Sequence, residues 1–489
     1  MKTFYTLMLI FTATVFSFAQ NNNRFDEYFL NRTMRIDYFH TGDSKTDIVT
    51  IDKIYVYGIW AGSTVNLIDK FNNGKYYAKI YDAQNDELIF SKGFDSYFFE
   101  YQTSGKAKKG IKKTFAESVL IPLPKRKIKF VLLKRNEKNK LNKIFETIIN
   151  PESIDIIREN PDNSLKIIEA EINGNPHNKV DVVILSEGYS QNEYSKFEKD
   201  IKKFTEIFFS QEPYKSLRDK FNIRGVFKTS QESGTDEPRA GIYKNTNLNC
   251  TFNSLGSARY LLTEDNKAMR DMASAVPYDA VYIMVNHERY GGGGIYNQFC
   301  TFTSDNKWSG YVFLHEFGHS FAGLADEYYT SSVAYSDFYP EDVEPVEPNI
   351  TALLNPPHVK WDSLVSPGIE IPTPWRKSEF DSLDTAWQKE RRKINSEIAK
   401  LKREGAEKEK IDSLIQKAET IKERHTKRVE EFLRNSKYWG KVGAFEGAGY
   451  ASKGLYRPML DCIMFSIGKK PFCKVCEKAI ESVIKYYTD

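Results

Sequence analysis

The sequence lacks an excess of either charge. Its 489 residues include 70 Lys and Arg against 66 Asp and Glu, which gives a formal net charge of +4. This balance gives no support for a nucleic-acid partner, because proteins that bind nucleic acids usually carry a basic excess. Hydrophobic residues make up 40% of the chain and aromatic residues 14%, which is ample for packed cores and argues against disorder. A chain of this length predicts two or three domains.

Long hydrophobic runs are lacking after the first residues. The chain opens with MKTFYTLMLIFTATVFSFAQ, in which a basic residue precedes an apolar run and small residues stand at Ser17 and Ala19. This pattern predicts a secretory signal peptide over 1–19, cut near Ala19. The alternative is a membrane anchor, but the apolar run is shorter than the ~20 residues that a spanning helix needs. We therefore expect a soluble protein that is secreted, periplasmic or at the cell surface, without a transmembrane span.

Cysteine is scarce, and its count is odd. The five cysteines are Cys250, Cys300, Cys462, Cys473 and Cys476, so at least one thiol is unpaired or bound to metal. Export permits a disulfide from Cys462 to one of the C-x-x-C pair. A second, structural zinc on Cys462, Cys473 and Cys476 is the alternative, and it would need a fourth ligand such as Cys300 or Cys250. A redox role for the C-x-x-C pair is the third interpretation, and the absence of a thioredoxin-like pattern around the pair argues against it.

The first part of the chain has alternating runs broken by turn residues. The segments MRIDYFHTGD, IVTIDKIYVYGIW, KYYAKIYDAQND, LIFSKGFDSYFFEYQ and KIKFVLLKRN all have strand patterns. Their spacing predicts an all-β domain over 20–150, a β-sandwich. We expect it to serve recognition, anchoring or shielding, or only to help the remainder fold. A polar stretch with two prolines follows and predicts a linker over 151–170.

The remainder, 171–489, alternates strands and helices. VDVVILSEGYS is a nearly continuous apolar run, typical of a strand that is buried on both faces. Ser190 and Glu193 have the spacing of a capping box before an amphipathic helix. FNIRGVFK and YDAVYIMVN predict two more strands, so this part is expected to be an α/β domain.

A proline-free stretch runs from Pro374 to Pro458 and is rich in Lys, Glu, Arg and Ala. Apolar residues recur there at helical spacing, and Gly405 can break the run into two helices. We predict a helical hairpin inserted over 377–437. One apolar seam is enough for the two helices to pack on each other, and the alternative is a coiled coil that binds a partner.

The segment HEFGH places two histidines four residues apart. His315 and His319 then lie one turn apart on the same face of a helix and can aim two imidazoles at one zinc ion. Zinc lowers the pKa of a bound water toward ~7, and Glu316 can take the proton from that water. The alternative is a pair of core histidines that only make hydrogen bonds. Export, the α/β frame and the acidic residues just beyond favour the zinc site.

A hydrolytic zinc site needs a third protein ligand. Metzincin peptidases have a glycine three residues after the second histidine and the third ligand three residues after that glycine. Here Ala322 stands at the expected place and Gly323 follows it. If the helix runs one residue further before the glycine turn, the third ligand is Asp326. Glu327 is the second candidate, and the carboxylate that is not used would orient a histidine.

Five segments in order resemble the IgA-peptidase-like family of zinc metallopeptidases. They are VVILSEGYSQNEY, NHERYGGGGIYNQ, HEFGHSFAGLADEY, VGAFEGAGY and GLYRPMLDCIMFS with FCKVC after it. The N-terminal part is similar to the accessory domain of that family. The resemblance implies a metzincin-like catalytic domain, one catalytic Zn²⁺ and a secreted endopeptidase. The substrate in the family's name need not carry over to this chain.

Two further site predictions concern the segment near the C-terminus. Met464, in DCIMFS, resembles the methionine turn that forms an apolar floor under the metzincin histidines; the alternative is an ordinary core methionine. Tyr456, or Arg457 beside it, is a candidate donor to the oxyanion that peptide hydrolysis forms.

Four glycines in a row stand shortly before the zinc helix. They cannot pack side chains, so another backbone can approach closely. We predict that the strand that follows binds an extended substrate by β-addition, with Gly293, Gly294, Ile295 and Tyr296 as the contact residues. The alternative is a flexible loop.

Together these features predict a secreted zinc endopeptidase that cleaves extracellular protein or peptide substrates, with Glu316 activating a water on the metal. Two alternatives stay open. One is a catalytically silent surface protein that binds glycan or protein; the intact motif argues against it, because a pure binder has no need for Glu316. The other is an amidase that acts on cell-wall peptide, which the motif allows.

Overall fold

The structure, a computed structural model, describes residues 24–159, 162, 164–330 and 338–489. The predicted signal peptide lies outside these residues. Among the described residues, no helix is both long and apolar enough to cross a membrane. The described residues form several helices and four sheets, which makes this a mixed α/β protein with more than one domain-sized core.

The N-terminal part consists of two four-stranded sheets with a shared hydrophobic core. Its strands are β1 (Phe29–Gly42), β2 (Asp47–Tyr57), β3 (Tyr76–Asp82), β4 (Leu88–Phe94), β5 (Lys113–Pro124), β6 (Ile128–Arg135), β7 (Leu141–Ile149) and β8 (Ile157–Arg158). Its helices are α1 (Arg24–Tyr28), α2 (Tyr97–Gln102) and α3 (Gly105–Lys108). The strand orders are β5-β1-β2-β8 and β4-β3-β6-β7. Alternate apolar residues of both sheets point into the shared core, as two-layer β packing requires.

The strand pattern of this part needs two corrections. The segment DSYFFEYQ, predicted as strand, forms α2 instead, because the Ser96 side chain caps the helix by accepting the backbone N–H of Phe99 at 3.0 Å. In addition, β5 and β7 are strands that the sequence did not predict. Strand β5 carries Pro122 and Pro124, which its position at the edge of the sheet tolerates.

The second part is built on a six-stranded mixed sheet of order β13-β14-β12-β10-β11-β9. These strands are β9 (Lys166–Glu171), β10 (Val180–Glu187), β11 (Phe221–Phe227), β12 (Ala280–Val285), β13 (Gly292–Ile295) and β14 (Phe299–Thr303). The four central strands are parallel, and β13 and β9 pair antiparallel at the two edges. Because β9 begins at Lys166, this sheet starts inside the predicted linker 151–170, and β8 in the same stretch pairs with β2.

Helices and loops cover both faces of this sheet, which explains why β10 is buried along its whole length. The helices are α4 (Tyr194–Phe208), α5 (Asn266–Ala273), α6 (Ser309–Ala322), α7 (Lys377–Arg403), α8 (Lys408–Arg434) and α9 (Lys474–Thr488), and a two-stranded sheet is formed by β15 (Phe445–Ala448) and β16 (Ala451–Arg457). The capping box at Ser190 and Glu193 is present ahead of α4. Helix α6 packs against β13 and β14 and carries the HEFGH segment.

The helices α7 and α8 form the predicted hairpin, with a turn at Gly405, whose φ is +65°. They pack on each other, and they also contact the body of the protein. The Trp308 indole N–H, at the start of α6, donates to Glu419 at 3.0 Å, and Lys402 pairs with Glu237 at 2.9 Å. The hairpin is therefore docked on the second part of the protein as well as on itself.

The N-terminal part contacts the second part next to α6. The Asn73 side-chain amide donates to the carbonyl of Gly323 at 3.1 Å, and the Asp95 backbone N–H donates to the carbonyl of Tyr296 at 3.0 Å. These bonds join the loop before β3 to the end of the HEFGH helix, and the end of β4 to the turn between β13 and β14.

Candidate active site

Helix α6 is positioned by its apolar side chains and by the way it ends. Val312, Phe313 and Phe317 are buried in the hydrophobic core of the second part. The helix ends at Gly323, which adopts the left-handed conformation with φ +59°, a conformation that glycine takes without the steric cost of a side chain. The chain then turns back along the helix, so that the residues after the glycine return to its histidine face.

The two histidines of α6 are oriented by backbone carbonyls. Nδ1 of His315 lies 3.0 Å from the carbonyl oxygen of Ile463, and Nδ1 of His319 lies 2.6 Å from that of Leu324. A carbonyl can only accept, so Nδ1 is the protonated nitrogen in each ring. Nε2 is therefore the nitrogen of each ring that can bind a metal, once any proton on it has been displaced.

Asp326 completes a convergent set of three donors. Its Oδ1 lies 3.0 Å from Nε2 of His315 and 3.2 Å from Nε2 of His319, and the two Nε2 atoms are 3.2 Å apart. Zinc bound tetrahedrally at ~2.0–2.1 Å by nitrogen and oxygen separates its ligand atoms by about 3.3 Å. The donor types and all three separations therefore fit one zinc ion.

The charges at this site are strongly coupled. Burial lowers the pKa of His319, but the Asp326 carboxylate outweighs burial and raises that pKa to about 9. In return, burial disfavours charge on Asp326, yet the two histidines hold its pKa well below the usual range. Burial raises the pKa of Glu316, which the neighbouring histidines only partly oppose. The site thus combines a strongly acidic carboxylate with one that holds a proton more readily.

Glu316 lines the same cleft as the three donors. The cleft is formed by both parts of the chain: α2 contributes Phe99 and Glu100, and α6 contributes His315, Glu316 and His319.

The glycine-rich strand β13 lies directly against α6. A Cβ atom on Gly292 would come within 2.5 Å of the Val312 side chain, and one on Gly294 within 2.5 Å of the carbonyl oxygen of Glu316. Only glycine permits this approach. Of the predicted contact residues, Gly294, Ile295 and Tyr296 line the cleft, whereas Gly293 is not among the lining residues.

Met464 lies in a turn beneath the histidines. Its side chain is fully buried, and its sulfur is 3.0 Å from the position that a Cβ on Gly318 would occupy. The glycine within HEFGH thus leaves room for the methionine. By contrast, Tyr456 lies on β16, where its backbone pairs with Thr351, and it does not line the cleft.

Glu327, the second candidate for third ligand, points away from the histidines. It joins Cys462, Cys473 and Cys476 in a separate buried group. The other two cysteines lie apart from this group: Cys300 is in β14, and the backbone N–H of Cys250 donates to Glu187. All five cysteines are free thiols.

Several cleft residues were not predicted from the sequence. Arg259, Tyr290, Tyr328 and Tyr450 line the cleft. The Tyr450 hydroxyl donates to Oδ2 of Asp326, and the Arg259 guanidinium donates to the Tyr328 hydroxyl at 3.0 Å. Tyr328 directly follows the acidic pair, which was a usable signal. Tyr290 and Tyr450 lie in two of the segments that resemble the family, which was also a usable signal, whereas Arg259 stands outside all five segments.

Comparison with known proteins gives two family matches. Residues 168–484 match the family described as IgA Peptidase M64, and residues 24–146 match the family described as Peptidase M64 N-terminus. No curated protein matches the sequence.

Proposed function

Because this chain belongs to the IgA Peptidase M64 family, it is a peptidase, and we propose that it is a secreted zinc endopeptidase. Its catalytic domain is proposed to be metzincin-like and its N-terminal part a β-sandwich. One observation carries the proposal: the ligand atoms of His315, His319 and Asp326 converge with the separations of a tetrahedral zinc site.

His315, His319 and Asp326 would hold the ion. When bound, zinc supplies Lewis acidity that polarises the substrate carbonyl and makes water a stronger acid. The carbonyls of Ile463 and Leu324 keep both Nε2 atoms available for this, and Met464 is proposed as the apolar floor.

Glu316 is proposed to move the proton. One of its carboxylate oxygens lies within 4.8 Å of a ring nitrogen of each histidine, at the cleft. Its raised pKa makes it a better base than an exposed carboxylate. It takes a proton from the attacking water and donates it to the leaving amine, so the carboxylate is regenerated in each cycle.

The substrate is proposed to lie along β13. This strand is an edge strand, and the Leu261 N–H already occupies the outward carbonyl of Gly292 at 3.2 Å. Hydrogen-bonding directions alternate along a strand, so Gly294 presents its polar groups outward in the same way, beside Glu316. A peptide that adds to β13 at Gly294 would bring one carbonyl group to the catalytic residues.

The experiment compares wild type with Glu316→Gln on internally quenched peptides whose two ends are blocked. Wild type loaded with zinc is expected to cleave within these peptides. Glu316→Gln is expected to keep its zinc and lose at least ~100-fold in rate, the effect of removing a general acid–base. The matched control is Glu198→Gln on α4, which makes the same chemical change away from the cleft.

Two outcomes would overturn the proposal. If zinc-loaded wild type leaves blocked peptides intact but removes terminal residues from free ones, the protein is not an endopeptidase. If Glu316→Gln cleaves at the rate of the control, Glu316 does not move the proton.

A further inference from the structure

A second group of metal-ligand atoms lies behind the Met464 turn. Cys462, Cys473, Cys476 and Glu327 each place one ligand atom within 4.8 Å of the others, and all four side chains are buried. Glu327 is fully buried. From the sequence, only Cys300 or Cys250 is a candidate for the fourth ligand of this zinc site. The structure instead brings the Glu327 carboxylate to the three cysteines.

Three of the separations within this group match a tetrahedral zinc site. Zinc–sulfur bonds of ~2.3 Å and zinc–oxygen bonds of ~2.0 Å separate two sulfurs by about 3.8 Å and a sulfur from an oxygen by about 3.5 Å. Sγ of Cys462 and Sγ of Cys476 are 3.9 Å apart. Oε1 of Glu327 is 3.3 Å from Sγ of Cys476 and 3.8 Å from Sγ of Cys473.

Backbone N–H groups point at two of the sulfurs. Sγ of Cys462 lies 3.4 Å from the N–H nitrogen of Met464 and 3.1 Å from that of Cys473, and Sγ of Cys473 lies 3.4 Å from that of Cys476. Cys473 is also the N-cap of α9, where the helix dipole favours negative charge. Such donors stabilise thiolates, the form in which cysteine binds metal.

One oxygen of the Glu327 carboxyl group is unpartnered in the part of the chain that the structure describes. Asn349 donates to Oε1 at 3.1 Å, while Oε2 has no hydrogen-bond partner among the described residues. When this group is ionised, its buried charge is costly unless a cation lies beside it, and a metal ion held by the three sulfurs would supply that cation. A disulfide would join two of the three cysteines and leave this carboxylate as it is.

We propose that Cys462, Cys473, Cys476 and Glu327 bind a structural Zn²⁺, in addition to the catalytic ion. This site would hold the catalytic one in place. Glu327 directly follows Asp326 in the chain, and the Glu327 backbone N–H donates to the carbonyl of Met464 at 2.9 Å. The metal would therefore tie the third catalytic ligand and the methionine turn to α9.

Zinc content per chain tests the proposal on the full protein. After removal of loosely bound metal, wild type is expected to hold two equivalents. His319→Ala and Cys476→Ser are each expected to hold one, and the control Cys250→Ser, which changes a buried thiol outside the group, is expected to hold two. One equivalent in wild type together with none in His319→Ala would overturn the structural site.

Two measurements do not depend on whether Cys476→Ser folds. Wild type and His319→Ala loaded with Co²⁺ should both show thiolate-to-cobalt charge-transfer absorption, since the catalytic site has no sulfur ligand. Mass spectrometry without reductant should find all five cysteines reduced. Absence of the absorption from both proteins, or a disulfide within the group, would overturn the proposal. If the catalytic proposal alone fails, wild type and His319→Ala each hold one zinc, and the absorption persists in both.

Discussion

Gly323 allows a sharp test of how the two parts of the chain support the active site. It stands between His319 and Asp326, takes a left-handed conformation, and accepts a hydrogen bond from the Asn73 amide of the N-terminal part. A Cβ added at this position would lie 2.1 Å from Nδ2 of Asn73. Gly323→Ala must therefore strain the backbone and also displace the Asn73 side chain.

The size of the effect follows from these two terms. An alanine in the left-handed region costs about 1–2 kcal/mol, and loss of the buried hydrogen bond costs about 1–3 kcal/mol because its partners are left unpaired. The smaller entropy of the unfolded alanine chain offsets about 0.4–1 kcal/mol. Gly323→Ala should destabilise the protein by about 2–4 kcal/mol. When Asn73 is already alanine, the same substitution should cost only about 1 kcal/mol.

The assay is urea unfolding of wild type, Gly323→Ala, Asn73→Ala and the double variant, which form a double-mutant cycle. Zinc retention against a graded chelator is measured in parallel, and Gly323→Ala should lose zinc at lower chelator concentration than wild type. If Gly323→Ala costs the same in both backgrounds, within ~0.5 kcal/mol, the contact with Asn73 does not support the turn. If it costs less than ~0.5 kcal/mol in the wild-type background, the turn itself is not strained by a side chain.

Two further predictions concern the walls of the cleft. Burial raises the pKa of Glu100 to about 8, against the opposing effect of the Tyr260 hydroxyl. Because the folded state then holds the Glu100 proton more tightly than the unfolded state does, the stability of the protein should fall as pH rises from about 4.5 to 8. In urea unfolding, the stability of Glu100→Gln relative to wild type should rise between pH 5 and pH 9 by on the order of 1 kcal/mol or more. The exposed control Glu137→Gln should show no such rise. If the stability difference between Glu100→Gln and wild type is the same at both pH values, the prediction is wrong. Lys422 of the hairpin lies 3.7 Å from the centroid of the ring of Tyr290, which lines the cleft. Replacing residues 385–432 by a short Gly/Ser linker should therefore lower the rate of peptide cleavage. Undiminished cleavage by a folded deletion variant would show that the hairpin does not support this side of the cleft.

Local sequence patterns predicted the elements whose causes are local. The apolar run of β10, the capping box before α4 and the two histidines on one face of α6 depend on residues within a few positions of each other. The helix α2 was missed because its aromatic residues have a strand pattern, while its N-cap depends on the single residue Ser96. Strand β5 was missed because its prolines argue against a strand unless its edge position is known.

The candidate site divides in the same way. Asp326 lies seven residues after His319, so the glycine turn was enough to predict it beside the histidines, where the structure places it. The group around Glu327 depends on Cys462, which is 135 positions later in the chain, and no spacing rule connects them. Arg259 and Tyr450 come to the cleft from separate loops, so only the tertiary structure brings them there.

The contact between the two parts of the chain has a consequence for how the protein unfolds. The Asn73 side chain donates to the carbonyl of Gly323 at the end of the HEFGH helix, and the Asp95 backbone N–H donates to the carbonyl of Tyr296 in the turn between β13 and β14. Melting of the N-terminal sheets would therefore remove the restraint on the helix end and on the segment after β13. The two parts should behave as one cooperative unit, and a peptidase part that is freed from its N-terminal partner would be a weaker scaffold for the same chemistry.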